Sequence, residues 1–188
     1  MPLINFCAFF FSLFFFLHLE AKEKIYVFDK ISKTCSGWNS ILGECFSNKK
    51  NKIRSLSGDH SALSLNGSKM NHFRFENFSA RKLDLNSTQL RQGSLFRCRM
   101  LYFRAMESDF RGAQILFSRF ENFSFREAQF QGAKISNTIF DGGDFSKVNF
   151  ENALITDTRF VHSILPTRLV KQATLVNVKF EDVRWEDF

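Results

Sequence analysis

From Phe75 to Trp185 every fifth residue of the chain is apolar. The positions are Phe75, Ala80, Leu85, Leu90, Leu95, Met100, Ala105, Phe110, Ile115, Phe120, Phe125, Phe130, Ile135, Phe140, Phe145, Phe150, Ile155, Phe160, Leu165, Val170, Leu175, Phe180 and Trp185. In a chain that is 44% hydrophobic, 23 such positions in a row arise by chance with a probability on the order of 10^-8. A helix repeats at 3.6 residues and a strand at 2, so neither accommodates a strict five. The period demands a chain that turns a corner after each unit and sends one large side chain inward per side.

A second inward position lies two residues before each large one and is usually small: Ala113, Ser118, Ala128, Ala133, Thr138, Gly143, Ala153, Thr158 and Ala173. A twenty-residue period is superimposed on the five. Phe75, Leu95, Ile115, Ile135, Ile155 and Leu175 are mostly aliphatic, whereas Met100, Phe120, Phe140, Phe160 and Phe180 are mostly aromatic. A five-residue period alone does not sort Ile from Phe; four units per lap does. Volume is also exchanged within units, since Phe103 takes the small position where Ala105 takes the large one, as a close-packed interior requires.

Small-then-large at this spacing resembles the pentapeptide-repeat family, whose unit reads Ala-(Asp/Asn)-Leu-x-x. The nearest units here are Gly143-Asp144-Phe145-Ser146-Lys147 and Val148-Asn149-Phe150-Glu151-Asn152. The resemblance spans about residues 70–188. It implies an all-β, right-handed quadrilateral β-helix of about six coils, one repeat per side. At ~4.8 Å per stacked strand the solenoid is roughly 28 Å long. Each coil buries its apolar face only against its neighbours, so both ends need covering.

Three segments follow along the chain. Residues 1–21 form the first: positions 2–19 carry no acid or base, and Leu19-Glu20-Ala21 offers a cleavage site. This pattern predicts a secretory signal and an exported protein. The alternative is an uncleaved membrane anchor, because Lys22 and Lys24 directly follow the apolar run and favour cytoplasmic retention of that end. Residues 22–69 are a basic segment and linker, with nine Lys/Arg against four Asp/Glu and no five-residue register. Cys35 and Cys45 bracket a short loop there. In an exported chain a disulfide between them is the leading expectation, free thiols the alternative. Residues 70–188 are the repeat domain.

Catalytic chemistry finds no footing in the sequence. The four histidines have no ligand spacing to a cysteine or to one another, and no nucleophile, base and oxyanion grouping can be assembled. Neither a metal nor a cofactor is expected. Asn66, Asn77, Asn86 and Asn122 begin Asn-x-Ser/Thr triplets, a pattern of low specificity. Cys98 falls at a small inward position and reads as packing.

Two outward features are candidate partner surfaces. Arg99, Arg119, Arg159 and Lys179 form a row at twenty-residue spacing, interrupted by Ile139, with Glu121, Asp141 and Glu181 placed to neutralise it. Phe96, Leu101, Tyr102, Met106, Leu116 and Phe117 are apolar at outward positions and predict an interface, covered either by residues 22–69 or by another protein. Trp185 and Phe188 predict a homodimer contact at the far end. Arg168 occupies a small inward position, so a bulge or wide corner is expected over Leu165–Val170, because a buried unpaired guanidinium is too costly.

The leading functional expectation is an exported, non-catalytic protein-binding or structural scaffold. The family's alternative, mimicry of duplex DNA to occupy a topoisomerase, needs a strongly negative rod, whereas this chain has a formal charge of +7. Binding of nucleic acid or another acidic surface suits the sign better. However, no aromatic platform interleaves with the bases in a recognised pattern.

Overall fold

The computed structural model describes residues 54–60 and 63–187. These residues form a β-solenoid whose four sides are each built from parallel strands or single bridges one lap apart. On the first side lie Ser94–Phe96, Gln114–Leu116, Lys134–Ser136, Leu154–Thr156 and Thr174–Val176. The second carries Arg99–Leu101, Arg119–Glu121, Ile139–Asp141, Arg159–Val161 and Lys179–Glu181. The strand Phe73–Arg81 runs across both sides of an early coil. The third side is held largely by single bridges from Asp84 to Arg104, Ser124, Asp144 and Ile164; the fourth by bridges among Lys69, Gln89, Asp109, Gln129 and Asn149.

Register is twenty residues throughout the regular coils. Ile135 pairs with Ile115 and Ile155 on the first side, and Phe140 with Phe120 and Phe160 on the second. The inward positions therefore stack like on like. Phe120, Phe140, Phe160 and Phe180 form a ladder with successive ring centroids 5.1, 5.2 and 5.5 Å apart and interplanar angles of 19° or less. Phe125 and Phe145 form a second ladder, and Phe110, Phe130 and Phe150 a third. These ladders meet edge-to-face along the axis, as Phe125 and Phe130 do at 80°, a favoured aromatic arrangement. The interior is filled, not a pore.

The corners explain how a five-residue unit closes. Two residues after each large inward position the backbone turns through the left-handed region, as at Asn77, Arg97, Phe117, Asn137, Asp157 and Asn177, with φ between 48° and 53°. This conformation is uncommon outside glycine. The corner amides of Arg97, Phe117, Asn137 and Asp157 are tied to the next lap, for example Arg97 N–H to Leu116 O at 3.0 Å and Phe117 N–H to Ser136 O at 3.0 Å.

The coil stack starts earlier than residue 70. Leu65 and Met70 are fully buried in the five-residue register, and Leu63–Ser64 pairs with Leu83–Asp84. The strand Arg54–His60 pairs with Phe73–Arg81; its register is nineteen residues through Leu56–Phe75 and twenty from Gly58–Phe78 onward. The missing residue at that irregularity puts Arg54–Leu56 out of phase with the repeat, which hid the start of the strand in the sequence. The expected cover over the first coils thus exists in part as one further strand. Its pairing is along Phe73–Ala80; among the described residues no strand from before Leu63 lies on Phe96 or Leu116. Residues 1–53 and the Cys35–Cys45 pair lie outside the described residues.

The second departure is at Arg168. A helical turn, Leu169–Gln172, replaces the expected bulge. Leu169 becomes the buried side chain, whereas Val170, the in-register residue, is 55% exposed. Arg168 reaches neither an acid nor open water alone: its Nη2 donates to Lys147 O at 2.9 Å and Val148 O at 3.3 Å. In regular coils an inward residue's amide donates to the carbonyl nineteen positions on, as Phe130 N–H does to Asn149 O. For Phe150 that carbonyl belongs to Leu169, which accepts from Ala173 N–H inside the turn. The Gln172 side-chain oxygen accepts from Phe150 N–H at 3.3 Å instead. By Thr174 the twenty-residue register is restored.

Candidate interaction surface

The side chains that face out are organised by the same lattice, so each expected surface residue has a definite row. Arg99, Arg119, Ile139, Arg159 and Lys179 stack along one edge of the second side, through Arg99–Arg119, Arg119–Ile139, Ile139–Arg159 and Arg159–Lys179 pairings. Across the inward residue lies a row containing Leu101, Glu121, Asp141, Val161 and Glu181. The rows zip together by charge. Arg119 contacts Glu121 at 2.5 Å and Asp141 at 3.4 Å, and Arg159 reaches Glu181 at 2.7 Å. The hydrogen bond from Arg159, chiefly, draws the Glu181 carboxyl below its ordinary range. Arg99, at the first-coil end of the row, reaches only Glu121, at 3.6 Å. From Arg119 onward this side is mostly a neutralised ladder.

The apolar residues divide between corners. Phe96, Leu116 and Phe117 come together where the first side turns into the second: Leu116 pairs above Phe96, and Phe117 meets Phe96 edge-on at 5.7 Å and 80°. Phe117 is 55% exposed. Leu101 and Tyr102 belong to the opposite edge of the second side, with Tyr102 52% exposed, and Met106 lies one side further on. They do not form one patch, because four-sided winding separates residues only a few positions apart in sequence.

The corner carrying Phe117 rests on a hydroxyl column that sequence reasoning took only as small residues. Cys98 N–H donates to Ser118 Oγ at 3.0 Å, and Ser118 N–H to Thr138 Oγ1 at 3.5 Å. Ser118, Thr138 and Thr158 donate in turn to the carbonyls two residues earlier. Each small polar side chain therefore satisfies corner groups that otherwise stay unpaired when buried. Cys98 ends this column. Burial pushes its thiol up to about 12, leaving it protonated and unreactive.

A further charged cluster lies on the fourth side. Asp109 accepts from Arg91 at 2.5 Å and from Arg111 at 2.7 and 2.9 Å. Burial works to raise its carboxyl, but the hydrogen bonds from Arg111 and then Arg91 outweigh this and hold it down at about 2. Among the described residues no group of three His, Cys, Asp or Glu side chains is placed to hold a metal ion, and no helix is long and apolar enough to cross a membrane. At the far end Trp185 is 38% exposed, packed on Phe180 at 5.0 Å; Phe188 lies outside the described residues.

Comparison with known proteins completes the picture. A family model for pentapeptide repeats matches residues 106–142 with eight copies. No curated protein matches the chain in sequence. Among solved structures, the pentapeptide repeat protein Rfr23 from the cyanobacterium Cyanothece 51142 is 13% identical, with 65% of this chain and 91% of that one covered and a TM-score of 0.37. QnrB1, a plasmid-mediated fluoroquinolone resistance protein, is 21% identical over 65% and 92%, with a TM-score of 0.20. HetL, a pentapeptide repeat protein involved in heterocyst differentiation regulation in Nostoc sp. strain PCC 7120, is 12% identical over 67% and 86%, with a TM-score of 0.21. Residues 106–142 of this chain are thus pentapeptide repeats, and the same four-sided coils continue on either side of them.

Proposed function

We propose that this chain is a non-catalytic scaffold that binds a partner protein through the corner between its first and second sides. The observation that carries this reading is the exposed Phe117 packed edge-on to Phe96. An apolar cluster held on a fully hydrogen-bonded corner is preorganised for contact, so binding orders little that is not already ordered. Rigid, repeated outer faces without a reactive grouping suit recognition rather than turnover. The apolar run over residues 2–19 supports export, with retention as a membrane anchor the alternative. The mass of the protein recovered outside the cytoplasm separates them, since cleavage after Ala21 leaves Lys22 as the first residue.

A photo-crosslinking amino acid placed at Phe117, and in parallel at Asn152 on the fourth side, tests the binding reading in cells. A discrete protein adduct from position 117 and none from 152 is expected; equal or absent adducts overturn it. Mimicry of duplex DNA fits less well. The second side alternates Arg with Glu or Asp in ion pairs, whereas imitation of a phosphate backbone requires continuous negative charge. The exposed Trp185, packed on the partly covered Phe180, supports self-association through the coil that carries them.

A further inference from the structure

The partner can be narrowed by charge, and this step rests on the protein-binding reading above. On the early coils several bases lack an ion-pair partner, although one acid, Glu76, stacks beneath Phe96. Among the described residues Arg74, Arg81, Lys82 and Arg97 have no carboxylate within 4.0 Å, in contrast to Arg119 and Arg159 further along. Arg81 pairs beneath Leu101 in the strand register, and Lys82 N–H donates to Leu101 O at 2.7 Å. Positive charge in excess thus brackets the second side at both edges, with Arg97 near Phe117, beside Arg99, whose one partner Glu121 is shared with Arg119, and with Arg81 and Lys82 near Tyr102.

We propose that this face docks an acidic polypeptide segment carrying an aromatic or aliphatic anchor. The anchor packs on Phe96, Leu116 and Phe117, and flanking carboxylates meet Arg97, Arg99 and Arg81. An extended segment lying along the strand direction crosses from one edge to the other in about four or five residues, at ~3.3 Å each. The combination supplies both halves of a specific contact: an apolar centre for affinity and a charge pattern for partner choice.

Other occupants fit less well. Residues 22–53 of this chain carry seven lysines against three acids, the same sign as the face they would cover. A second copy joined by a two-fold axis brings the same basic patch against itself. Single-stranded nucleic acid needs free ring faces for stacking. Here the Arg97 guanidinium lies 4.9 Å from the Phe96 ring centroid, while Phe117 approaches the same ring edge-on.

The test is selection of short random peptides, displayed on phage, against the full chain. Selected sequences are re-measured as synthetic peptides at low and physiological salt. Expected are Asp/Glu-rich sequences around a Phe, Trp or Leu. Their affinity falls about tenfold or more with Phe117→Ser, as for other interface anchors, and is lost with Arg97→Glu/Arg99→Glu. If the charge reversal alters the melting temperature, Arg97→Gln/Arg99→Gln replaces it, with the same direction expected. Enrichment of neutral or basic sequences, no enrichment, indifference to these variants, or displacement of the peptides by a single-stranded oligonucleotide each overturns the proposal. An adduct at position 117 without acidic enrichment removes only the acidic-segment assignment; acidic peptides that bind without any such adduct remove the cellular partner instead.

Discussion

The ring of Phe123 fills the space that a side chain at Gly143 would occupy: a Cβ built on Gly143 falls 1.9 Å from Phe123 Cζ. Both residues stand at the nominally small inward position of the third side, one lap apart. A large residue is tolerated there because the lap above gives up its side chain entirely, and Phe73 and Gly93 repeat the arrangement with a 1.8 Å clash. Volume is thus traded between laps as well as within a unit. Gly143→Ala is expected to destabilise by about 1–3 kcal/mol through overpacking, and Phe123→Ala by about 3–5 kcal/mol through its cavity. The double variant should cost clearly less than the sum, measured by denaturant unfolding as a double-mutant cycle; strict additivity would separate the two residues.

Phe140 stacks between Phe120 and Phe160 and also meets Phe125 and Phe145. Its truncation to Ala should cost about 3–5 kcal/mol with little change in the far-ultraviolet spectrum at low temperature. An unaltered thermal midpoint would contradict the packing.

Asp109 gives the fold an acid-sensitive tie. Its carboxyl is lower in the folded chain, at about 2, than its ordinary value of 3.8. Its contribution is therefore complete above about pH 4 and lost as pH falls through about 2. Comparison of Asp109→Asn with the parent should show a stability gap of about 1 kcal/mol at neutral pH, after allowance for solvent screening, that closes in this acid range. A gap independent of pH would assign the loss to packing.

Cys98 should resist alkylation in the folded protein and react only after unfolding, since its thiol is buried and held at about 12. Peptide mapping after labelling under native and denaturing conditions distinguishes it from Cys35 and Cys45. Native labelling of Cys98 would show that the coil opens there.

Self-association through the last coil predicts concentration-dependent light scattering that Trp185→Asp suppresses, leaving the melting of the earlier coils almost unchanged. Persistence of the larger species in that variant would move the contact elsewhere.

Most of the architecture was legible because its cause is periodic. Phe120 beneath Phe140 and Ile115 beneath Ile135 follow from counting twenty, and Asp141, one lap and two residues on from Arg119, falls in the row of acids beside the row of bases. What escaped was whatever broke the count or depended on the third dimension. Arg54–Leu56 is out of phase by one residue, so a template in register does not reach the start of that strand. Leu169 displaces Val170 because a helical turn shifts the phase locally. The apolar surface residues looked like one cluster on paper, yet Phe117 and Tyr102 stand on different corners. The Phe123–Gly143 exchange needed a contact between laps that five-residue grouping does not display. At Arg168 an interruption is present in another form than the expected bulge: backbone carbonyls accept from Nη2 of the guanidinium, while its buried Nε has no hydrogen-bond partner.

The slip between Leu56 and Gly58 has a consequence for how such a chain can change its length. Adding or losing one residue in a regular coil would rotate every later side chain by one station, turning phenylalanines outward and arginines inward. A single-codon deletion is thus survivable only where phase can be forgotten. Arg54–His60 meets this condition on the described stack, because it pairs on one flank only and has no regular lap beneath it among those residues. Interior growth must instead copy sixty nucleotides at a time. The ends are where such a gene can be edited one codon at a time, and its middle can be lengthened only by duplication.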